Sequence, residues 1–274
     1  MSGRYRFGRP ALLIAGGYIL ALAVAAVIAL TTGGLGALWR LTLFAEMGEG
    51  VAVTWQNVLI LVLVGMPWAW ALWQSLRGPL AGPPPELDRD TRRLRVGLYA
   101  AVVSWLLYAV MPFWPWWAVA LDAVVMGAVV MLFHQVLGRN LAYADPARTA
   151  GVLAYGGIAA IEVFDVLDWP LPGVLIALCG LAGLVWTVLI LRAQWRDGRW
   201  QRATVRYGIA SLVVPLVLGL VGGLLTSMGN VYSDAKAAAD VLMMIWLARS
   251  AHDLADPHHE PAPSEPLPAH PATP

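Results

Sequence analysis

Eight long apolar runs alternate with short polar connections along the chain, at roughly 11–31, 51–73, 96–112, 115–137, 150–168, 172–192, 207–227 and 235–251. Most come close to the ~20 residues that an α-helix needs to cross the hydrocarbon of a bilayer. The third and fourth runs are parted only by MPFWPWW, where Pro112 and Pro115 break the helix and make a tight turn. Pro170 and Pro172 in DWPLPG do the same between the fifth and sixth. The pattern predicts an all-α, polytopic membrane protein with eight transmembrane helices.

The ends need separate treatment. Arg4, Arg6 and Arg9 precede the first run, as in a signal peptide, but the run continues to about Leu30. A secretory core is shorter, about 7–15 residues, so this segment reads as an uncleaved span. The connection at 78–95 begins as proline-rich coil and ends in a charged stretch that can extend the third helix inward. From Asp253 onward the chain is Pro-rich, polar and without periodicity, and is expected to be disordered. His258 and His259 in that tail are not expected to hold a metal.

Composition agrees with the pattern. Hydrophobic residues make up 59% and charged residues 13%, against about 25% charged in soluble domains. The mean hydropathy is +0.66. The net charge of +1 is not pooled into a patch, so no nucleic-acid partner is implied. One cysteine, Cys179, excludes an intrachain disulfide and a cysteine-rich metal site.

The charges are sorted by side. Arg4, Arg6, Arg9, Arg77, Arg89, Arg92, Arg93, Arg95, Arg139, Arg148, Arg192, Arg196, Arg199, Arg202 and Arg206 all fall before the first span or in alternate connections. The other connections hold only Arg40 and Lys236. The positive-inside rule therefore places both termini in the cytoplasm. The richness in Arg, Ala, Val and Gly suggests a bacterial chain, and so the plasma (inner) membrane. Trp114, Trp116, Trp117 and Trp169 mark the outer interface, with Trp73, Trp195 and Trp200 near the inner one, as an aromatic belt would.

The two halves look duplicated. Asp122, Met126 and His134 recur at the same spacings as Asp240, Met244 and His252. Arg95, Gly97, Val102 and Val103 recur as Arg206, Gly208, Val213 and Val214. This predicts two parallel four-helix units, 1–140 and 141–252, followed by the tail 253–274. An even number of helices per unit gives both copies one orientation.

Carboxylates inside apolar runs carry the functional expectation, because a charge in hydrocarbon is costly. Asp122 and Asp240 fall in the outer part of the fourth and eighth helices. Glu162, Asp165 and Asp168 close the fifth, with Glu46, Glu49 and Asp234 in outer loops. Glu162 and Asp165 are three apart and share a helix face. The candidate substrate- or proton-binding set is Asp122, Asp240, Glu162 and Asp165. Each His lies twelve residues from its Asp, about 18 Å along a helix, which excludes a dyad; His134 and His252 are expected to reach toward the inner interface. Met126 and Met244 are expected to fill gaps in the core.

No phosphate loop, HExxH or nucleophile elbow is present. The expectation is a non-enzymatic membrane protein, with no cofactor and no metal, binding a small and cationic solute from the outer side with proton coupling. The alternative is an assembly or sensory subunit contacting a membrane partner or a second copy of itself. An intramembrane enzyme stands third.

Overall fold

A computed structural model describes residues 4–44, 53–83, 85–111, 115–138, 143–170, 172–224, 239 and 241–256. Among them the regular structure is helical, with one isolated β-bridge between Tyr5 and Leu80. The helices are α1 (Gly8–Thr32), α2 (Gly36–Leu43), α3 (Trp55–Leu76), α4 (Arg89–Val110), α5 (Trp116–Leu137), α6 (Ala144–Val166), α7 (Gly173–Arg196), α8 (Arg202–Leu224) and α9 (Val241–Asp253). Five of these, α1, α3, α5, α6 and α7, are long and apolar enough to cross a membrane. The protein is therefore a helical membrane protein by length and composition. Arg139, Ser227, Lys236, Glu46, Glu49, Asp234, Asp240, His258 and His259 lie outside the described residues.

Local chemistry sets the helix ends. The Thr54 hydroxyl accepts from Asn57 N at 3.2 Å to cap α3, and Asp88 Oδ2 accepts from Thr91 N at 3.3 Å to cap α4. Each satisfies a backbone donor that the first turn leaves free. The charged stretch before the third apolar run does extend the helix, which starts at Arg89. Pro115 and Pro172 stand at the starts of α5 and α7, where a missing N–H costs nothing. Gly33, at φ 73°, ends α1 in the left-handed region that glycine adopts freely. The short helix α2, GALWRLTL, is an addition to the expected elements.

Helix α9 organises the packing. It lies against α3, α4 and α8, and Val241 and every residue from Met244 to Asp253 are buried. Trp186 of α7 is fully buried, with ring centroids 6.2 Å from Phe133, 5.5 Å from Tyr155 and 6.4 Å from Trp246. These rings join α5, α6, α7 and α9 into one core, in which Met126 and Met244 are also buried. Leu22, Leu38, Trp39 and Leu61 form a second cluster joining α1, α2 and α3. Large apolar side chains such as Leu13, Val124 and Val174 point outward, as lipid-facing residues must.

The tryptophans do not serve only as an interfacial belt. Trp116, Trp117, Trp169 and Trp195 are exposed, but Trp39, Trp68, Trp186, Trp200 and Trp246 are buried. Trp200, expected at the inner interface, packs under Phe133 with ring centroids 6.5 Å apart. An indole fits a core as readily as a headgroup layer, because its large apolar face dominates once it is covered.

The arginine-rich segments gather at one end of the bundle. Arg6 N and Phe7 N donate to Pro79 O and Arg77 O at 3.0 and 3.1 Å, tying the N-terminal segment to the end of α3. Arg199 Nη2 donates to Val136 O at the end of α5, and Gln201 N donates to Asp253 at the end of α9. The sorting of charge along the chain thus becomes a sorting in space.

Candidate functional site

Asp122 lies six residues into α5, about 9 Å along the helix from Trp116. It is half-buried, and its Oδ1 accepts from Ser104 Oγ of α4 at 2.8 Å. Tyr155 of α6 lies within electrostatic reach of it. The ion pairs among the described residues are Asp90–Arg93, Asp145–Arg148 and Asp197–Arg199, so no described cation neutralises Asp122. Helices α5 and α6 pack together and are joined at the arginine end. Asp122 and Glu162 therefore both lie toward the opposite end.

Glu162 is half-buried and feels the charge of Asp165, one helical turn on, while Asp165 itself is exposed. Asp240 lies outside the described residues. The structure thus places Glu162 one turn from Asp165 on α6 and seats Asp122 on Ser104.

The densest polar group is at the other end of the bundle, around Arg249 of α9. Arg249 is 6% exposed, and each of its three guanidinium nitrogens donates to a neutral oxygen. Nε bonds Thr204 Oγ1 at 3.1 Å, Nη1 bonds Gln74 Oε1 at 3.1 Å, and Nη2 bonds Gln201 Oε1 at 3.2 Å. Thr204 Oγ1 in turn donates to Asp253 Oδ2 at 2.6 Å, which also accepts from Gln201 N at 2.9 Å. A hydroxyl therefore bridges the guanidinium and the buried carboxylate. Next to this, Trp246 Nε1 donates to Gln194 Oε1 at 2.9 Å and Gln194 Nε2 to Ser250 Oγ at 3.1 Å.

His252 departs from expectation. It is 5% exposed, with its ring centroid 5.7 Å from that of Tyr99, and is held in the core rather than reaching outward. The reason is its position on α9, which is buried from Met244 to Asp253, whereas His134 on α5 stays half-buried. Arg77, Arg95 and Arg249 all lie within electrostatic reach of His252. Arg77, just beyond α3, is pulled below the usual guanidinium range by burial first and by Arg249 second.

Two hollows flank these groups. A polar one of about 460 Å³ is lined by Asp88, Asp90, Thr91, Gln135, Asp197 and Arg199. There the Arg199 guanidinium is pushed upward, chiefly by its hydrogen bonds from Nε and Nη2 to Asp197. An apolar groove of about 710 Å³ runs between α1, α3 and α9, past Gly16, Pro67, Trp70 and Ile245. Among the described residues no group of three His, Cys, Asp or Glu is placed to hold a metal.

No protein-family model, curated protein or solved structure matches the chain. The residues that sequence reasoning passed over are Arg249, Gln74, Gln201, Thr204 and Gln194. Arg249 carried a readable signal, since a guanidinium inside the eighth apolar run needs a partner as much as a carboxylate does. The glutamines carried none, because their partners are distant in the chain.

Proposed function

We propose that the chain is a non-catalytic membrane protein of eight spans, with both termini cytoplasmic and two parallel four-helix units. It binds a small cationic solute or a proton from the outer side, in a bacterial inner membrane, and couples the two. Asp122 is the principal group, with Asp240 as its counterpart in the second unit and Glu162 and Asp165 completing the set. The observation that carries this reading is the state of Asp122. Its carboxylate lies within an apolar span on one serine hydroxyl, and no described cation neutralises it. At the centre of a span an ionised acid costs about 2.5–3.5 kcal/mol; Asp122, about 9 Å into α5, bears a smaller share of that cost, which a bound proton or cation offsets.

The test is a screen for altered sensitivity to cationic amines and alkali cations, comparing cells that have the gene, lack it, or carry Asp122→Asn. A phenotype shared by the deletion and Asp122→Asn, at unchanged protein abundance, supports the reading. Loss of abundance in Asp122→Asn, with no separable activity defect, contradicts it. The groove between α1, α3 and α9 favours a second reading, a subunit that receives a partner helix: a Cβ added at Gly16 or Gly17 would meet nothing within 4 Å.

A further inference from the structure

Helices α1 and α9 both pack on α3, and the groove of about 710 Å³ is the gap they leave over it. Gly16 of α1 widens the gap, since a Cβ built there would meet nothing within 4 Å. On α3 the lining runs from Met66 to Trp73, about 10 Å of helix. Trp73 stands one turn before the end of α3 at Leu76, so the groove belongs to the arginine-side half of the span. Its walls are apolar, and it opens between two helices long and apolar enough to cross a membrane. Lipid, and not water, therefore faces it.

The mouth of the groove is basic. Tyr5 sets its ring edge-on to Trp73, with centroids 6.2 Å apart, which seats the N-terminal segment at the arginine end of the groove. The backbone holds that segment in place: Arg6 N donates to Pro79 O and Ala81 N to Arg4 O, both at 3.0 Å. Arg4, Arg6 and Arg9 are exposed, and among the described residues no carboxylate pairs with them. Arg9 precedes Gly16 by two turns, and at 3.6 residues per turn the two lie within about 20° of one another around α1. The stripe of α1 that lines the groove therefore ends on an exposed guanidinium. The first turn of α1, where Arg9 sits, brings the positive end of the helix dipole to the same place.

We propose that the groove holds one acyl chain of an anionic phospholipid from the arginine-side leaflet, with its phosphate drawn to Arg9. The apolar lining takes the chain, and the charge at the mouth selects the headgroup. The volume of about 710 Å³ falls within the ~300–1,000 Å³ that holds a small ligand. A partner helix fits this groove less well. Close approach of two helices uses small residues at the contact, whereas this groove covers about 10 Å of a span of about 30 Å and is flanked by Trp70 and Trp73. The proposal is independent of the solute reading, because Asp122 lies toward the other end.

The test uses the full chain in nanodiscs of phosphatidylcholine mixed with phosphatidylglycerol. Lipids retained on release into the gas phase are identified by native mass spectrometry. A phosphatidylglycerol with a photoreactive diazirine in its acyl chain locates that chain by cross-linking. The intact protein is expected to retain phosphatidylglycerol in preference, with cross-links within 12–19 and 66–73. Gly16→Trp, which fills the groove, abolishes both, whereas Val174→Trp on the exposed face of α7 leaves both unchanged. Arg9→Gln keeps the cross-links but weakens the preference about fivefold, as loss of one basic residue near an anionic headgroup should. If Gly16→Trp fails to fold, the cross-link positions and the exposed Arg9→Gln carry the test. Equal retention of both lipids, cross-links scattered over the outer faces of the bundle, or an unchanged preference in Arg9→Gln overturns the inference. A dimer that Gly16→Trp separates puts a second copy of the chain in the groove and overturns it likewise.

Discussion

The donors of Arg249 end on Gln74 of α3 and on Gln201 and Thr204 at the start of α8, and Thr204 passes the contact to Asp253. Removing the guanidinium strands all of these groups in a dry place. Arg249→Ala is expected to cost about 3–5 kcal/mol, the range for breaking a buried charged contact, measured by thermal unfolding in detergent. A loss under about 1 kcal/mol, the level of exposed ion pairs, would contradict the network's role. Arg249→Lys is expected to fail similarly, because one ammonium cannot reach three acceptors held in a fork. At the surface the effects are smaller. Asp88→Ala removes the α4 cap at a cost of about 1 kcal/mol. The Asp88 carboxyl is held below its ordinary range, chiefly by the Thr91 side-chain hydrogen bond. Since the folded value is the depressed one, this contribution is present at neutral pH and fades as pH falls through it. Asp88→Ala should therefore narrow its deficit in acid; a pH-independent deficit would contradict the assignment.

At the scale of elements, close helix approach depends on particular glycines. A Cβ on Gly151 of α6 would meet Val130 Cγ1 at 2.5 Å and Trp186 Cδ1 at 2.7 Å, in the aromatic core. One on Gly16 would meet nothing within 4 Å. Gly151→Ala should cost about 1–3 kcal/mol through overpacking, while Gly16→Ala should be neutral or slightly stabilising through helix propensity. Equal effects in thermal unfolding would contradict the packing described. The same scale shows what the sequence could reveal. The five apolar helices were legible because nothing but a span needs so long an uninterrupted run. The inward extension of α4 was legible because the charged stretch leads without a break into the third apolar run. Helix α2 was not, since eight residues with polar flanks carry too little periodicity. Asp122 stood out as a charge in apolar surroundings, but Arg249 was masked by lying close to the polar tail. Gln74 could not be found at all, because what gives it meaning is an arginine 175 residues away.

On the scale of the whole molecule, charge is divided between two ends. Arginines and their buried network occupy one, while Asp122, Glu162 and Asp165 lie toward the other. With the arginine end cytoplasmic, an impermeant maleimide should label Leu167→Cys in intact cells and Ala203→Cys only after lysis, with buried Cys179 giving little background. The reverse pattern would invert the topology. The solute reading is tested most directly in proteoliposomes loaded with a pH-sensitive dye and challenged with the cationic solutes to which the deletion strain responds. The account predicts a solute-dependent change in luminal pH that vanishes in Asp122→Asn at equal incorporation. A response of the same size in Asp122→Asn, or no response of the intact protein to any of those solutes, would contradict it.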